Sequence, residues 1–282
     1  MNYILYNSKA NGANNENQIN EFVKKLTGEN ELINVLGIDE YKTFFEKISA
    51  SDKIYLLGGD GTLNHFINDT KDLTLPCDVY FSGAGTGNDF LNDTKDLIKN
   101  DCVLINDLVK NLPTVTVNGK DYLFINGVGY GIDGYCCEVA DKLHNKGKQN
   151  VNYAGIAIKG ILFHYKRPNA TVTVDGVTKK YYRVYLAPTM KGRYYGGGMI
   201  VAPNQNRNAK DYKVSTVLLY GKSRLGALMI FPGIFKGEHI KHKDAVEVLT
   251  GNEIEVTFNR PTALQIDGET ILGVTNYKVR TK

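Results

Sequence analysis

The sequence predicts an α/β chain of two parts: an N-terminal domain with a parallel sheet, then a mainly antiparallel β-sandwich domain with inserted helices. Three observations carry this. Strand-like and helix-like segments alternate over the first hundred residues, which favours parallel pairing with helices on both faces. After about residue 112 the pattern changes to strands joined by two-residue turns. Between an apolar run at 54–57 and a helical face lies a glycine turn, Gly58-Gly59-Asp60-Gly61-Thr62. The expected domains are 1–111 and 112–282, with the boundary drawn from the change of pattern and from Pro113.

In order, residues 3–6 read as a first strand. Ile19, Phe22, Val23 and Leu26 follow at helical spacing, ending at Gly28. Residues 32–36 read as a second strand. Asp39 is placed to cap the next helix, whose stripe is Tyr41, Phe44, Phe45 and Ile48. Residues 53–57 form a third strand, and Leu63, Phe66 and Ile67 begin a helix after the glycine turn. Residues 78–81 form a fourth strand. In the second half, 115–117 and 122–125 flank Asn118-Gly119, and 171–174 and 182–186 flank Asp175-Gly176. Further strands are expected at 213–220, 253–258, 263–266 and 277–280, and helices at about 134–144, 150–165 and 223–236.

Composition bounds the function. The 282 residues are 42% hydrophobic and 23% charged, with a net charge of +4, so electrostatics demands no nucleic-acid partner and none is expected. Cys77, Cys102, Cys136 and Cys137 form no CxxC pair, which suits reduced thiols in a cytoplasm. The opening MNYILYN reads as a strand rather than a targeting segment. No apolar stretch reaches the roughly 18–20 residues of a membrane span. The nearest, LGALMIFPGIF at 225–235, is interrupted by Pro232 and followed by Lys236, Lys241 and Lys243. It reads as a buried helix, or as a surface that lies on a membrane or lines a lipid channel.

Consecutive glycines after a buried strand let the backbone approach a ligand closely. The helix that follows offers free N–H groups and a positive dipole end, which suits a phosphate. Asp60 inside that turn is suited to a Mg²⁺ carried on the phosphates. A second loop, Gly83-Ala84-Gly85-Thr86-Gly87-Asn88-Asp89, follows the fourth strand. One such turn could be a mere corner; two at the ends of successive strands mark the carboxyl edge where open α/β sheets bind ligands. Neither matches GxxxxGK[ST], so this is not an ordinary P-loop.

The run GGDGTLN, followed about twenty residues later by GTGNDF, resembles the diacylglycerol kinase catalytic family of bacterial lipid kinases, related to sphingosine and ceramide kinases. Two further stretches resemble that family: Lys236-Gly237-Glu238-His239-Ile240-Lys241-His242 and Asp267-Gly268-Glu269. Near the start, Asn7-Ser8-Lys9-Ala10-Asn11-Gly12 sits where the family has an Asn-Pro-x-Ser-Gly turn. The resemblance implies a Rossmann-like N-terminal domain and a second domain for the acceptor. It also implies ATP and Mg²⁺ as cofactors and transfer of the γ-phosphate to a lipid hydroxyl in a cleft between the domains. Asn7, Ser8, Lys9, Ala10 and Asn11 would then form one wall of the nucleotide site. Gly58, Gly59, Asp60, Gly61, Thr62, Leu63 and Asn64 would form its floor, and Gly85, Thr86 and Asn88 the second loop. Asp60 would hold the metal and Glu269 would be the general base. The helices at 150–165 and 223–236 are candidate walls of an acceptor tunnel. Diacylglycerol is the default acceptor. NAD kinase activity, a soluble-alcohol kinase and a nucleotide-binding protein that has lost catalysis are the alternatives. A peripheral contact with the inner face of the membrane, and a homodimer, are left open.

The sequence departs from the family in three places. His65 stands where a Glu is usual and is expected to be a packed helix-face residue. Asn204 replaces an Asp after Gly196-Gly197-Gly198-Met199-Ile200-Val201-Ala202-Pro203. An Asp-Asp-Gly stretch becomes Lys210-Asp211-Tyr212. These exchanges predict the loss of a second, structural Mg²⁺ that some members carry.

Overall fold

Ile4 and Leu5 have no exposed surface, and the strand that carries them, β1 (Asn2–Tyr6), lies between its two partners in a five-stranded sheet. The structure is a computed structural model that describes residues 1–8, 15–83, 88–148 and 151–281. The chain divides into two compact units, Met1–Asn111 and Leu112–Lys282.

In the first unit β1 is followed by α1 (Asn15–Val23), β2 (Asn30–Asn34), α2 (Tyr41–Phe45), β3 (Lys53–Gly58) and α3 (Asp60–Asp69). Then come β4 (Asp78–Gly83), α4 (Asp89–Asp93), β5 (Val103–Leu104) and α5 (Asn106–Val109). The strand order is β2-β1-β3-β4-β5, parallel except for the two-residue edge strand β5. Successive side chains of a strand point to opposite faces, and β1 shows where the helices go. Ile4 packs with Ile19 and Phe22 of α1 on one face, while Tyr3 meets Phe44 of α2 on the other. α3 joins α2 through Tyr41 and Phe66, whose rings are 5.4 Å apart. Helices thus cover both faces, as the alternating pattern predicts.

Two local expectations fail for identifiable reasons. Asp39 caps nothing: α2 starts at Tyr41, its N-cap is Glu40, and the Glu40 carboxylate instead accepts from the Thr43 hydroxyl at 3.1 Å. β2 stops at Asn34 because the Asn34 side chain accepts from Leu36 N–H, turning residues 35–37 into a 3₁₀ turn.

In the second unit every strand pair is antiparallel. It opens with β6 (Thr114–Val117), β7 (Lys120–Leu123) and β8 (Gly127–Tyr130), then α6 (Ile132–His144) and α7 (Tyr153–Lys159), which runs into a π-helical turn (Gly160–His164). Next are β9 (Ala170–Val174), β10 (Val177–Tyr181), β11 (Thr189–Met190), β12 (Tyr194–Tyr195), β13 (Met199–Ile200) and β14 (Val214–Leu219). α8 (Arg224–Ile230) continues into a 3₁₀ segment (Phe231–Lys236), and β15 (Val246–Gly251), β16 (Glu253–Ile266) and β17 (Glu269–Arg280) close the chain. The second arm of the Asp175-Gly176 hairpin is β10, not residues 182–186. A two-residue turn starts its partner strand at once, and β10 is too polar and exposed to show an apolar signal.

The two strands expected at 253–258 and 263–266 are one bent strand. β16 pairs β9 through its first half and β8 through its last three residues, and β17 along its length. Its register shifts between Thr257 and Leu264, around Pro261, where a residue without an N–H is tolerated. In the core this bend encloses Tyr130 stacks on Phe258 and meets Tyr277 edge-on, and the Tyr130 and Tyr277 hydroxyls donate to backbone carbonyls of Val274 and Ala187 at 2.7 Å. A second core cluster lies under α6–α8 and includes Ile132, Ile161, Tyr165, Ala227, Ile230 and Ile234. The buried side chains of the candidate tunnel walls thus pack into one another. No helix among the described residues is long and apolar enough to cross a membrane.

Candidate active site

In the first unit the site begins with sheet order. The direction of strand addition reverses between β1 and β3, and ligands of open α/β sheets bind beyond the carboxyl ends of strands at such a point. Asn7 and Ser8 leave β1 there, Gly59 and Asp60 leave β3, and Asn88 and Asp89 follow β4. Lys9, Ala10, Asn11, Gly85 and Thr86 lie outside the described residues.

Close packing dictates the glycine of β3. A Cβ on Gly58 would sit 2.5 Å from Cβ of Thr62, a buried residue of the first turn of α3. Gly59 is the N-cap, with extended backbone and no side-chain cap. Asp60 therefore begins the helix, and its carboxylate reaches out of the turn. Asp89 N–H donates to Asp60 Oδ2 at 2.7 Å and Phe90 N–H to Oδ1 at 3.1 Å. These N–H groups open α4, so Asp60 caps the helix that follows the second glycine loop and ties the two loops together. Ser8 is fixed in the same way by its neighbour strand: its hydroxyl accepts from Asn34 Nδ2 at 2.9 Å.

Two of the residues expected at the nucleotide site also serve the fold. Leu63 is fully buried, and its N–H donates to Gly59 carbonyl at 3.1 Å. The Asn64 side chain is buried, and its oxygen accepts from Asn68 Nδ2 at 3.3 Å. His65 is exposed on α3 rather than packed, because it falls on the face opposite Leu63, Phe66 and Ile67. Asp89, only 4% exposed, is an acid the sequence reading did not single out; its place directly after a glycine loop is the available signal.

Among the described residues no group of three or more His, Cys, Asp or Glu side chains could hold a metal. The donor set near the turn is the Asp60 carboxylate, and a carboxylate oxygen can accept more than one partner. That fits Mg²⁺, which takes one or two carboxylates and otherwise waters and substrate phosphates. It does not fit a cage filled by protein alone.

In the second unit Glu269 is the first residue of β17, directly after the turn at Asp267 (φ 46°) and Gly268 (φ 103°). Left-handed backbone at both positions is the type I′ hairpin geometry. This turn is unusually well anchored. Asp267 accepts N–H bonds from Ile125 (2.6 Å), Asn126 (2.9 Å) and Gly127 (2.9 Å). On the same stretch, Arg207 donates to the Ile125 carbonyl (2.9 Å) and Asn126 Oδ1 (3.0 Å). Glu269 itself is exposed. Its charge is felt on α6: burial first, then Asp133, Asp141 and Glu269, push the Cys137 thiol up to about 12.

Asp133, in the first turn of α6, is buried, and no donor lies in ordinary hydrogen-bond geometry to either oxygen. Burial pushes its carboxyl up to about 6, offset in part by nearby backbone N–H groups and the Tyr195 hydroxyl. Neither Asp133 nor Arg207 stands out in the sequence, since a buried polar residue carries no periodic signal.

In the Lys236–His242 stretch only His239 and Gly237 are buried, while Lys236, Glu238, Lys241 and His242 are exposed. His239 is 3% exposed and its Nε2 donates to the Val201 carbonyl at 2.9 Å, while burial lowers its pKa. Asn204 and Asp211 line a cavity of about 310 Å³ with Gln205, Asn206, Lys213 and Ser215. The Asp211 carboxylate there faces Lys213 Nζ at 3.5 Å.

Comparison with known proteins agrees with this architecture. Residues 2–113 match the diacylglycerol kinase catalytic domain, and residues 126–280 match the YegS C-terminal NAD kinase beta sandwich-like domain. No curated protein sequence matches the chain. Among solved structures, a protein assigned as a diacylglycerol kinase of Bacillus anthracis str. Sterne superimposes with a TM-score of 0.70 at 16% identity, covering 100% of this chain and 92% of that one. A second structure, described as a diacylglycerol kinase of the same strain, gives 0.63 at 14% identity, covering 99% and 93%. At such identities the structures speak for the fold, while the two domain matches, in order and spanning nearly the whole chain, show that it belongs to the diacylglycerol kinase catalytic family.

Proposed function

We propose that the protein is an ATP-dependent lipid kinase that transfers the γ-phosphoryl group to the hydroxyl of a diacylglycerol-like lipid. One observation carries the reading: the Asp60 carboxylate joins the β3–α3 turn, at the point where the strand order reverses, to the first N–H groups of α4. Phosphoryl transfer asks the protein for alignment and charge stabilisation rather than covalent work. The N–H groups at the start of α3 and the small residues Gly58 and Gly59 suit the nucleotide phosphates. Asp60 would hold a Mg²⁺ brought with the nucleotide, which supplies neutralisation of phosphate charge.

Glu269, on its anchored turn, would accept the proton as the lipid oxygen attacks the γ-phosphorus and ADP departs. The reading requires the acceptor hydroxyl, Glu269 and the γ-phosphorus to share one reactive complex, with reacting atoms about 3–3.5 Å apart. Its test is ATP consumption against a panel of diacylglycerol, monoacylglycerol, a sphingoid base, glycerol and NAD, with Asp60→Ala as control. Turnover on a lipid alcohol, absent in the control, is expected. Turnover on NAD or glycerol alone would replace the lipid reading. Nucleotide binding without any turnover would make the chain a nucleotide-binding protein.

A further inference from the structure

One peptide group of the second unit is held between opposite charges. The Asn126 N–H donates to Asp267 Oδ1 at 2.9 Å, and the carbonyl of the same peptide, that of Ile125, accepts from Arg207 Nη1 at 2.9 Å. A carboxylate at the N–H end and a guanidinium at the oxygen end polarise the peptide in one sense, so each bond strengthens the other. Arg207 also donates to Asn126 Oδ1 at 3.0 Å, and the Asn126 carbonyl accepts from the Lys191 and Gly192 N–H groups at 2.9 and 3.0 Å. Asn126 is 2% exposed and Arg207 8%, so these bonds lie away from bulk water. Arg207 comes from the loop 201–213 between β13 and β14, which braces itself. Gln205 Nε2 donates to the Lys213 carbonyl at 2.9 Å, Gln205 Oε1 accepts from the Ser215 hydroxyl at 2.6 Å, and Asn206 Oδ1 accepts from Asn208 N–H at 3.0 Å.

This is also the loop in which the exchanges at Asn204 and Lys210-Asp211-Tyr212 predict the loss of a structural Mg²⁺. Its donor set does not fit a hard cation. Asp211 is the one carboxylate of residues 201–213, against Arg207, Lys210 and Lys213, and it faces Lys213 Nζ at 3.5 Å. Beside it, Lys191 lies over the Tyr212 ring at 5.8 Å and is buried. Burial, then the Arg207 charge, lowers the Lys191 pKa, and Asp211 opposes them. A divalent ion asks for a cluster of oxygens; here side chains already supply the positive charge. We infer that Arg207 takes the place of a metal in this unit and is a positioning residue for Glu269, because it holds the 125–127 stretch on which Asp267 sets the turn that presents the base. The positioning role rests on the lipid-kinase reading for what Glu269 does; the clamp and the replacement of the metal do not, so the two fail separately.

Arg207→Ala should lower kcat by about 10- to 100-fold, the scale on which a misplaced catalytic group costs rate, with KM for ATP changed by less than about twofold. Guanidinium, added well below denaturing concentration, should restore part of that rate by refilling the vacated site. In Glu269→Gln protein the same substitution should cost less than about twofold, since a residue that acts through the base has nothing left to position. A raised KM at unchanged kcat, or losses that multiply in full, overturns the positioning role. Hydrogen exchange reads the clamp without turnover, on wild type, Arg207→Ala and, should alanine prevent folding, Arg207→Lys. The amides of residues 125–127 should exchange about tenfold faster in the variants. Unchanged exchange overturns the clamp, whether or not the protein is a kinase. For the metal, Tm without nucleotide should be the same in EDTA and in excess Mg²⁺. A rise of several degrees in Mg²⁺ that Asp211→Asn removes would place a cation in the loop and overturn the replacement.

Discussion

Two acidic turns, one in each unit, solve the same mechanical problem in different ways. Asp60 follows β3 and accepts two backbone N–H groups; Asp267 precedes β17 and accepts three. In the first unit one carboxylate is both the brace between loops and the candidate metal ligand. In the second the work is divided: Asp267 braces the turn, and Glu269, two residues on, stays exposed. The difference teaches how a substitution will read. A change at Asp60 mixes structure with chemistry, whereas changes at Asp267 and Glu269 should separate them.

The largest effect is expected at Glu269. Glu269→Gln should lower turnover by about 10²–10⁴-fold, the range of general-base catalysis, with nucleotide affinity and Tm unchanged. A variant that turned over normally would break the division of labour. Asp60→Asn should lower turnover by no more than that, but with a loss of stability of about 1–3 kcal/mol, since each N–H at the start of α4 loses a charged acceptor. Denaturant titration alongside turnover checks this, and unchanged stability would mean that the brace carries no weight.

Asp267→Asn should show the complementary pattern. Stability falls by about 2–3 kcal/mol as three charge-assisted bonds weaken, and turnover falls only as far as Glu269 loses its position. Asp133→Asn tests the same unit by pH. Its carboxyl is raised in the folded state to about 6, above the unfolded value of 3.8. Ionisation is therefore penalised in the fold, so stability is full below about pH 4 and is lost as pH rises to about 6. The neutral amide escapes this, and the variant should be more stable above pH 6 by up to about 3 kcal/mol, with no gain at pH 4. Tm measured across that range decides it. The smallest effect is at His65: exposed on α3, its change to Ala should move stability by less than about 0.5 kcal/mol.

Legibility followed the physics of each feature. In the first unit β1, β3 and β4 were readable because each is apolar, and α1 to α3 because each carries an apolar stripe. The Asn118-Gly119, Asp175-Gly176 and Asp267-Gly268 turns were readable because left-handed backbone at two successive positions favours such pairs. The glycine turn and Glu269 were visible as motifs. Hidden were features made by distant partners: the Asp60 bonds to α4, the three N–H groups on Asp267, the Arg207 clamp and the buried Asp133. Their partners lie 29 to 142 residues away in the bonds of Asp60 and Asp267, and no local pattern encodes them. β5 and β10 escaped because a two-residue strand has no period and a polar edge strand no apolar face.

The central claim is phosphoryl transfer to a lipid, and the most direct measurement is the product itself. Wild-type protein is incubated with ATP, Mg²⁺ and vesicles containing diacylglycerol, with NAD supplied in the same reaction as a competing acceptor, and the products are separated and identified by mass. The account predicts the phosphorylated lipid and unmodified NAD. Phosphorylated NAD with unmodified lipid would contradict it.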